Sequence, residues 1–252
     1  MAKTPECQDL TPSQALIAGY YADPANRLSF ARDLFNRTAR HYDPVNRLFS
    51  LGSGAWYRRT CLRKAGLKPG LQVVDVAVGT GLLAREAIRI TGDRQAVIGI
   101  DVSEKMLGIA RENLGIPLVQ GAAEALPIAD KVADFVTIGY ALRHVADLEV
   151  ALRECLRVLR PNGKVLLLEI AVPRRRFGRM LAAAYIGAIV PFLSLLATGD
   201  PRARELMRYH WETIVKCVPP EAIMRAMRDA GFQDVACRTE LELFGCYIAR
   251  KP

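Results

Sequence analysis

The feature that most constrains this chain is Val73-Val74-Asp75-Val76-Ala77-Val78-Gly79-Thr80-Gly81, followed downstream by Ile98-Gly99-Ile100-Asp101. An apolar run rich in β-branched residues suits a strand buried on both faces, and the glycines after it suit a tight turn into a helix. The second apolar run ends in a single carboxylate. This order points to a parallel α/β sheet in which a loop and an acid meet at the carboxyl ends of neighbouring strands. Such a pairing holds a nucleoside, with backbone on one side and Asp101 accepting the two ribose hydroxyls. A nucleotide-type cofactor is therefore the first expectation. The alternative is a buried strand and turn in some other α/β protein.

Glycine register separates the cofactor classes. A G-x-G-x-x-G dinucleotide fingerprint needs glycine at 77, 79 and 82, where the chain has Ala77, Gly79 and Leu82. The D-x-G-x-G-x-G pattern of class I methyltransferases needs an acid at 75 and glycine at 77, 79 and 81, and only Ala77 departs from it. S-adenosylmethionine, the cofactor of those enzymes, has no phosphate for a helix N-terminus to hold. It carries a sulfonium and an ammonium instead, which favour a nearby carboxylate such as Asp75.

Apolar strands alternate with helical segments from 70 to 171, as in a parallel sheet covered on both faces. Strands are expected at Gln72–Val76, Ala96–Ile100, Pro117–Gln120, Ala133–Gly139 and Lys164–Ile170, with helices at Gly81–Thr91, Ser103–Asn113 and Leu148–Leu159. Ser103 is a suitable cap, and Pro161-Asn162-Gly163 a strong turn ending the third helix. A last helix at Pro220–Ala230 precedes an antiparallel hairpin over Val235–Ala249, which completes seven strands. A chain of 252 residues suits one enzyme domain. Its six cysteines and three histidines form no ligand-spaced cluster, so reduced packing thiols and no metal are expected. Residues 1–10 show no apolar signal core, and a cytoplasmic protein is expected.

The net charge of +9 raises the question of nucleic acid. Its densest run, Arg174-Arg175-Arg176 with Arg179, has no interleaved aromatics to stack bases, so no nucleic-acid partner is expected. The run precedes Leu181–Thr198, which carries no charge. That stretch meets the minimum length for a membrane span, but Pro191 interrupts it. Residues 174–198 are therefore expected to make peripheral contact with an anionic membrane at its inner face. A solvated basic loop and a helical hairpin packed on the domain or in a homodimer are the alternatives.

Several motifs together resemble the UbiE-type ubiquinone/menaquinone C-methyltransferases. They are the D-x-A-x-G-T-G turn, Ala123-Glu124-Ala125-Leu126-Pro127, Tyr140-Ala141-Leu142-Arg143-His144-Val145, and the stretch from Arg157 to Glu169. Upstream, Tyr42-Asp43-Pro44-Val45-Asn46 through Ser50-Leu51-Gly52 resembles the family's Y-D-x-M-N-x-x-x-S-x-G signature. Downstream, Tyr209 with Glu212-Thr213-Ile214 resembles its Y-L-x-E-S-I segment, and Asp229-Ala230-Gly231-Phe232 its D-A-G-F turn. Departures are Val78 for glycine, Leu82 for an acid, Ala122 for Asn or Asp, Gly139 for Ser, His144 for Asn, and Gly54 and Tyr57 for His and Trp. A branched side chain at 78 is expected to narrow the approach to the cofactor.

The resemblance implies a Rossmann-like class I fold: a helical cap over 1–60 and a methyltransferase domain over 61–252, with 174–218 inserted as a substrate lid. It implies S-adenosylmethionine held by Tyr42, Asp75, Ala77, Gly79, Gly81, Asp101, Val102, Met106, Ala122, Ala123, Glu124, Gly139 and Tyr140. The acceptor would be a hydrophobic small molecule, a hydroxylated aromatic or quinol with an apolar tail, methylated on carbon. Arg143 would stabilise the developing phenolate, with His144 as a base or as a capping residue. Consecutive strand residues face opposite ways, so one of these two is expected to enter the site. Asp43 or His41 would take part in proton transfer, unless Asp43-Pro44 merely begins a turn, and Tyr209 and His210 would face the substrate or solvent. Glu169 would partner Arg143 or wall the pocket. Two readings stay open: methylation of another hydrophobic small molecule on oxygen, nitrogen or carbon, and a retained fold with altered cofactor use.

Overall fold

In the computed structural model, residues 27–252 are described except 174, 216 and 241, so the first part of the expected cap and the residue 1–10 reading lie outside it. Two helices come first, α1 (Arg27–Phe49) and α2 (Gly54–Ala65). The sheet and its crossovers follow: β1 (Val73–Val76), α3 (Leu82–Thr91), β2 (Val97–Asp101), α4 (Glu104–Leu114), β3 (Leu118–Gln120), β4 (Ala133–Gly139), α5 (Leu148–Val158) and β5 (Leu159–Ile170). Then come α6 (Arg176–Ala184), a π-helical turn Tyr185–Ile189, α7 (Val190–Thr198), α8 (Pro201–Val215), α9 (Pro220–Asp229), β6 (Gln233–Glu240) and β7 (Phe244–Arg250).

The strand order is β3-β2-β1-β4-β5-β7-β6, with β7 antiparallel to β5 and the first five strands parallel. The order reverses between β1 and β4, so a crevice opens at their carboxyl ends. Alternation along each strand feeds two layers. Val74 and Val76, Val136 and Ile138, and Val165 and Leu167 enter one core beneath α5 and α9. Val73, Phe135, Leu166 and Leu168 enter the other with α2, α3 and α4. A third cluster, Val45, Ile170, Ala182, Ile186, Val190, Met207 and Ile214, joins α1 and the segment from α6 to α8 to the end of β5. That cluster seats the cap over the crevice.

Local chemistry sets the helix ends. Ser103 accepts from Met106 N, and Asp147 accepts from Glu149 N and Val150 N. Two expectations are corrected. The Pro161-Asn162-Gly163 turn lies inside β5, which begins at Leu159: Leu159 pairs with Ala133, and Asn162, with φ of 63°, is taken up in a register shift. The sequence after β4 is not strand. Tyr140 turns left-handed with φ of 60°, and Leu142–His144 forms a 3₁₀ turn. The expected boundary at 60 falls within α2.

Candidate functional site

The glycine register has a conformational cause. Ala77, Gly79 and Gly81 have φ of 55°, 56° and 90°, so every second residue of the turn is left-handed. This aims the Gly79 amide at Asp101, whose Oδ2 accepts it at 2.8 Å, while Oδ1 accepts Ser103 N at 2.8 Å. The carboxylate keeps acceptor capacity for a ribose hydroxyl. Val78 borders a small cleft that also holds Asp75. Its side chain packs into the second core, where a Cβ on Gly99 would sit 3.0 Å from Val78 Cγ2.

One cavity above this turn gathers Tyr42, Ala77, Gly79, Asp101, Val102, Met106, Ala123, Glu124, Gly139 and Tyr140, together with Phe35 and His144. Three expected members are elsewhere. Gly81 packs on α4, because a Cβ there would meet Leu114 Cδ1 at 2.2 Å. Ala122 is engaged in a bridge to Ala125. Asp75 lines a smaller cleft that shares Tyr42, Ala77, Gly79, Gly139 and Tyr140 with the cavity. Thr137 donates to Asp75 Oδ1 at 2.6 Å, and the buried Oδ2 has no side-chain hydrogen-bond partner among the described residues. Burial pushes the Asp75 carboxyl up to about 7, against the hydrogen bond from Thr137.

Facing Asp75 in that cleft is Arg58, which the sequence reading missed. It is 6% exposed, donates to Asn46 Oδ1 at 2.9 Å and lies 5.4 Å from the Tyr140 ring centre. Its guanidinium fills the space next to Gly54, where a Cβ would be 2.8 Å from Arg58 Nη1. A carboxyl group and a buried guanidinium thus stand in one cleft beside the cavity that Asp101 lines. That pairing fits a zwitterionic amino-acid tail, as S-adenosylmethionine has.

Tyr42 and Tyr140 also wall a second cavity, lined by Val45, Phe49, Trp56, Tyr57, Ile170, Leu206, Met207, Ile214 and Phe244, with Arg143, His210, Arg58, Asn46, Ser50, Ser53 and Glu240 as polar members. The 3₁₀ turn lets Arg143 and His144 serve different cavities, so the expectation that only one enters the site is corrected: Arg143 lines this one and His144 the cofactor cavity. Arg143 is 1% exposed and its Nη1 is 2.5 Å from Glu169 Oε1. Removing either partner would strand a buried charge at about 3–5 kcal/mol. His144 Nδ1 shares a hydrogen bond of 2.8 Å with Tyr209 OH under near-parallel rings. Tyr209 itself lines neither cavity but an outer groove between α1 and α8. Asp43 accepts from Thr80 Oγ1 and borders a groove toward α7, while His41 Nε2 lies 2.9 Å from Asp200 Oδ2. His210, adjacent to Tyr209 in sequence, is the histidine of the acceptor-side cavity.

Comparison with known proteins agrees with this geometry. Residues 25–244 match the model of the ubiE/COQ5 methyltransferase family. The chain is 33% identical over 232 residues to the ubiquinone/menaquinone biosynthesis C-methyltransferase UbiE of Shewanella woodyi, covering 89% of this chain and 91% of that one. It is 35% identical over 210 residues to the enzyme of the same name from Shewanella frigidimarina, covering 81% and 82%. Among solved structures, an S-adenosylmethionine-dependent methyltransferase from Thermotoga maritima, a possible histamine N-methyltransferase, superimposes with a TM-score of 0.61 at 21% identity, covering 88% of this chain and 99% of that one. That likeness concerns the fold. The sequence match across the cap, the turn and the acceptor-side helix makes this chain an S-adenosylmethionine-dependent methyltransferase of the ubiE/COQ5 family.

Proposed function

We propose that this enzyme transfers a methyl group to a ring carbon of a hydroxylated aromatic or quinol with an apolar, polyprenyl-like tail. The observation that carries this is the second cavity, largely apolar, with Arg143, His210 and Arg58 among its polar members, and sharing the walls Tyr42 and Tyr140 with the cofactor cavity. The names of the Shewanella relatives point the same way.

When bound, S-adenosylmethionine would supply an activated methyl for a ring carbon, the C–S electron pair staying on sulfur and the displaced ring proton passing to solvent. The chain's own contribution is positioning. Asp101 would hold the ribose, Val102, Met106 and Ala123 would face the adenine, and Asp75 with Arg58 would take the ammonium and carboxylate. Tyr42, from the cap helix, closes the junction. Arg143 steadies negative charge on the acceptor oxygen, and the buried pairing with Glu169 fixes its orientation. Incubation with methyl-labelled cofactor and a short-tailed hydroquinone is expected to give label on a ring carbon. Label on oxygen would overturn the assignment.

The helical run from Arg176 to Leu196 supports a membrane-resting position. Its inner face, Ala182, Ile186 and Val190, packs in the third cluster, while Phe177, Met180, Leu181, Ile189, Phe192, Leu193 and Leu196 are exposed. Exposed residues recur at three- and four-residue steps, which is one face of a helix. Arg175, Arg176 and Arg179 are exposed at its N-terminal end, matching anionic headgroups. Tyr185, midway along, donates to Leu48 O and Phe49 O, which places the run against the acceptor cavity that Phe49 lines. A cytoplasmic enzyme resting on the inner membrane face would thus take a tailed acceptor from the bilayer.

A further inference from the structure

We propose that His210 reads the hydroxyl state of the acceptor, accepting a phenolic O–H at Nε2 and so selecting the hydroxyl-bearing form over the quinone. The inference rests on the acceptor class given above. Its basis is a tautomer fixed by the protein itself. His210 Nδ1 lies 2.8 Å from Leu206 O, one turn earlier on α8. A carbonyl only accepts, so Nδ1 carries the hydrogen, and the Nε2 of a neutral ring then bears a lone pair.

The ring stands where the acceptor's reacting end must lie. Its centre is 6.1 Å from that of Tyr42, which walls both cavities, and it shares the acceptor cavity with Arg143. The titratable and charged groups around it are Tyr42 from α1, Arg143 and His144 from the 3₁₀ turn, and Tyr209 on α8. Burial first, and then the charge of Arg143, push the imidazole down to about 3. The ring is therefore neutral at working pH and far too weak a base to keep a phenolic proton. It acts as a hydrogen-bond acceptor that orients the hydroxyl, not as a general base.

Arg143 and His210, two of the polar groups that line the cavity beside Arg58, Asn46, Ser50, Ser53 and Glu240, are complementary. Arg143 only donates, and His210 Nε2 only accepts. A quinol oxygen bearing hydrogen satisfies His210, whereas a quinone carbonyl would set two lone pairs against each other. A site built to bond a hydroxyl rejects the analogue that lacks it. The family signature Y-L-x-E-S-I has leucine at this place, so His210→Leu removes the acceptor in a helix that accommodates either residue.

The test compares equilibrium binding of a short-tailed hydroquinone, its dimethyl ether and the corresponding quinone to the full chain with S-adenosylhomocysteine present. The wild-type protein is expected to prefer the hydroquinone over both other probes by about tenfold or more. His210→Leu should bind all three about equally, and His210→Gln, which keeps a side-chain acceptor, should recover part of the preference. Cofactor affinity and melting temperature, measured alongside, verify that both variants fold. Retention of the full preference in a folded His210→Leu, or its absence in the wild-type protein, would overturn the role of His210. Failure of the wild-type chain to bind any of the probes would overturn the acceptor class, and this inference with it.

Discussion

A carboxyl enclosed by valine strands is costly to ionise even with a hydrogen bond from Thr137, and burial holds Asp75 at about 7. An unfolded aspartate titrates near 3.9, so neutral Asp75 gives stability that is complete below about pH 4 and lost as pH rises through about 7. A bound ammonium favours the ionised form, so binding below that pH must release a proton. The dissociation constant for S-adenosylmethionine should fall by up to about tenfold per unit as pH rises toward 7 and level off above it. Asp75→Asn should flatten this profile in calorimetric titration. A flat wild-type profile would place the ammonium away from Asp75. At this scale Asp75, Gly79 and Asp101 were legible because their geometry is local. Arg58 was not, and His210 was left between substrate and solvent, since only the approach of α2 and α8 to the crevice gives them neighbours.

The N-terminus of α4 is where the cap helix is tied to the cofactor strand. Ser103 Oγ accepts from Met106 N at 3.1 Å and donates to Asn36 Oδ1 of α1 at 2.7 Å, two residues beyond Asp101. Ser103→Ala should cost about 1 kcal/mol in chemical denaturation through loss of the cap. It should also weaken cofactor binding several-fold, because α1 carries Tyr42 and Phe35 over the cavity. An unchanged affinity would show that α1 stays seated without this bond. The crossover helices and parallel strands were readable from periodicity and caps. The left-handed Tyr140 and the 3₁₀ turn after β4 were not, since a tyrosine carries no local signal for positive φ.

Across the whole molecule, two cavities meet under a cap whose outer side is an apolar helix with arginines at one end. Phe192→Glu combined with Leu196→Glu places charge on that exposed face and leaves the inner face intact. Wild-type protein should sediment with phosphatidylglycerol vesicles, less so at high salt and not with phosphatidylcholine alone, and the double variant should stay in solution. Wild-type protein remaining in solution with both vesicles would remove the membrane role. A concentration-dependent dimer abolished by the same variant would give the face to a second copy instead.

The sequence by itself determined the parallel sheet, the glycine turn, the cofactor and the family, because each depends on short-range periodicity, a left-handed turn or contiguous motifs. Only the tertiary structure decided which of two adjacent residues serves which cavity, that Val78 turns into the core, and that Arg58 and His210 face the site. The reason is that residues far apart in the chain acquire their chemistry from the neighbours that packing supplies, and above all from burial, which sets the charge states of Asp75 and His210.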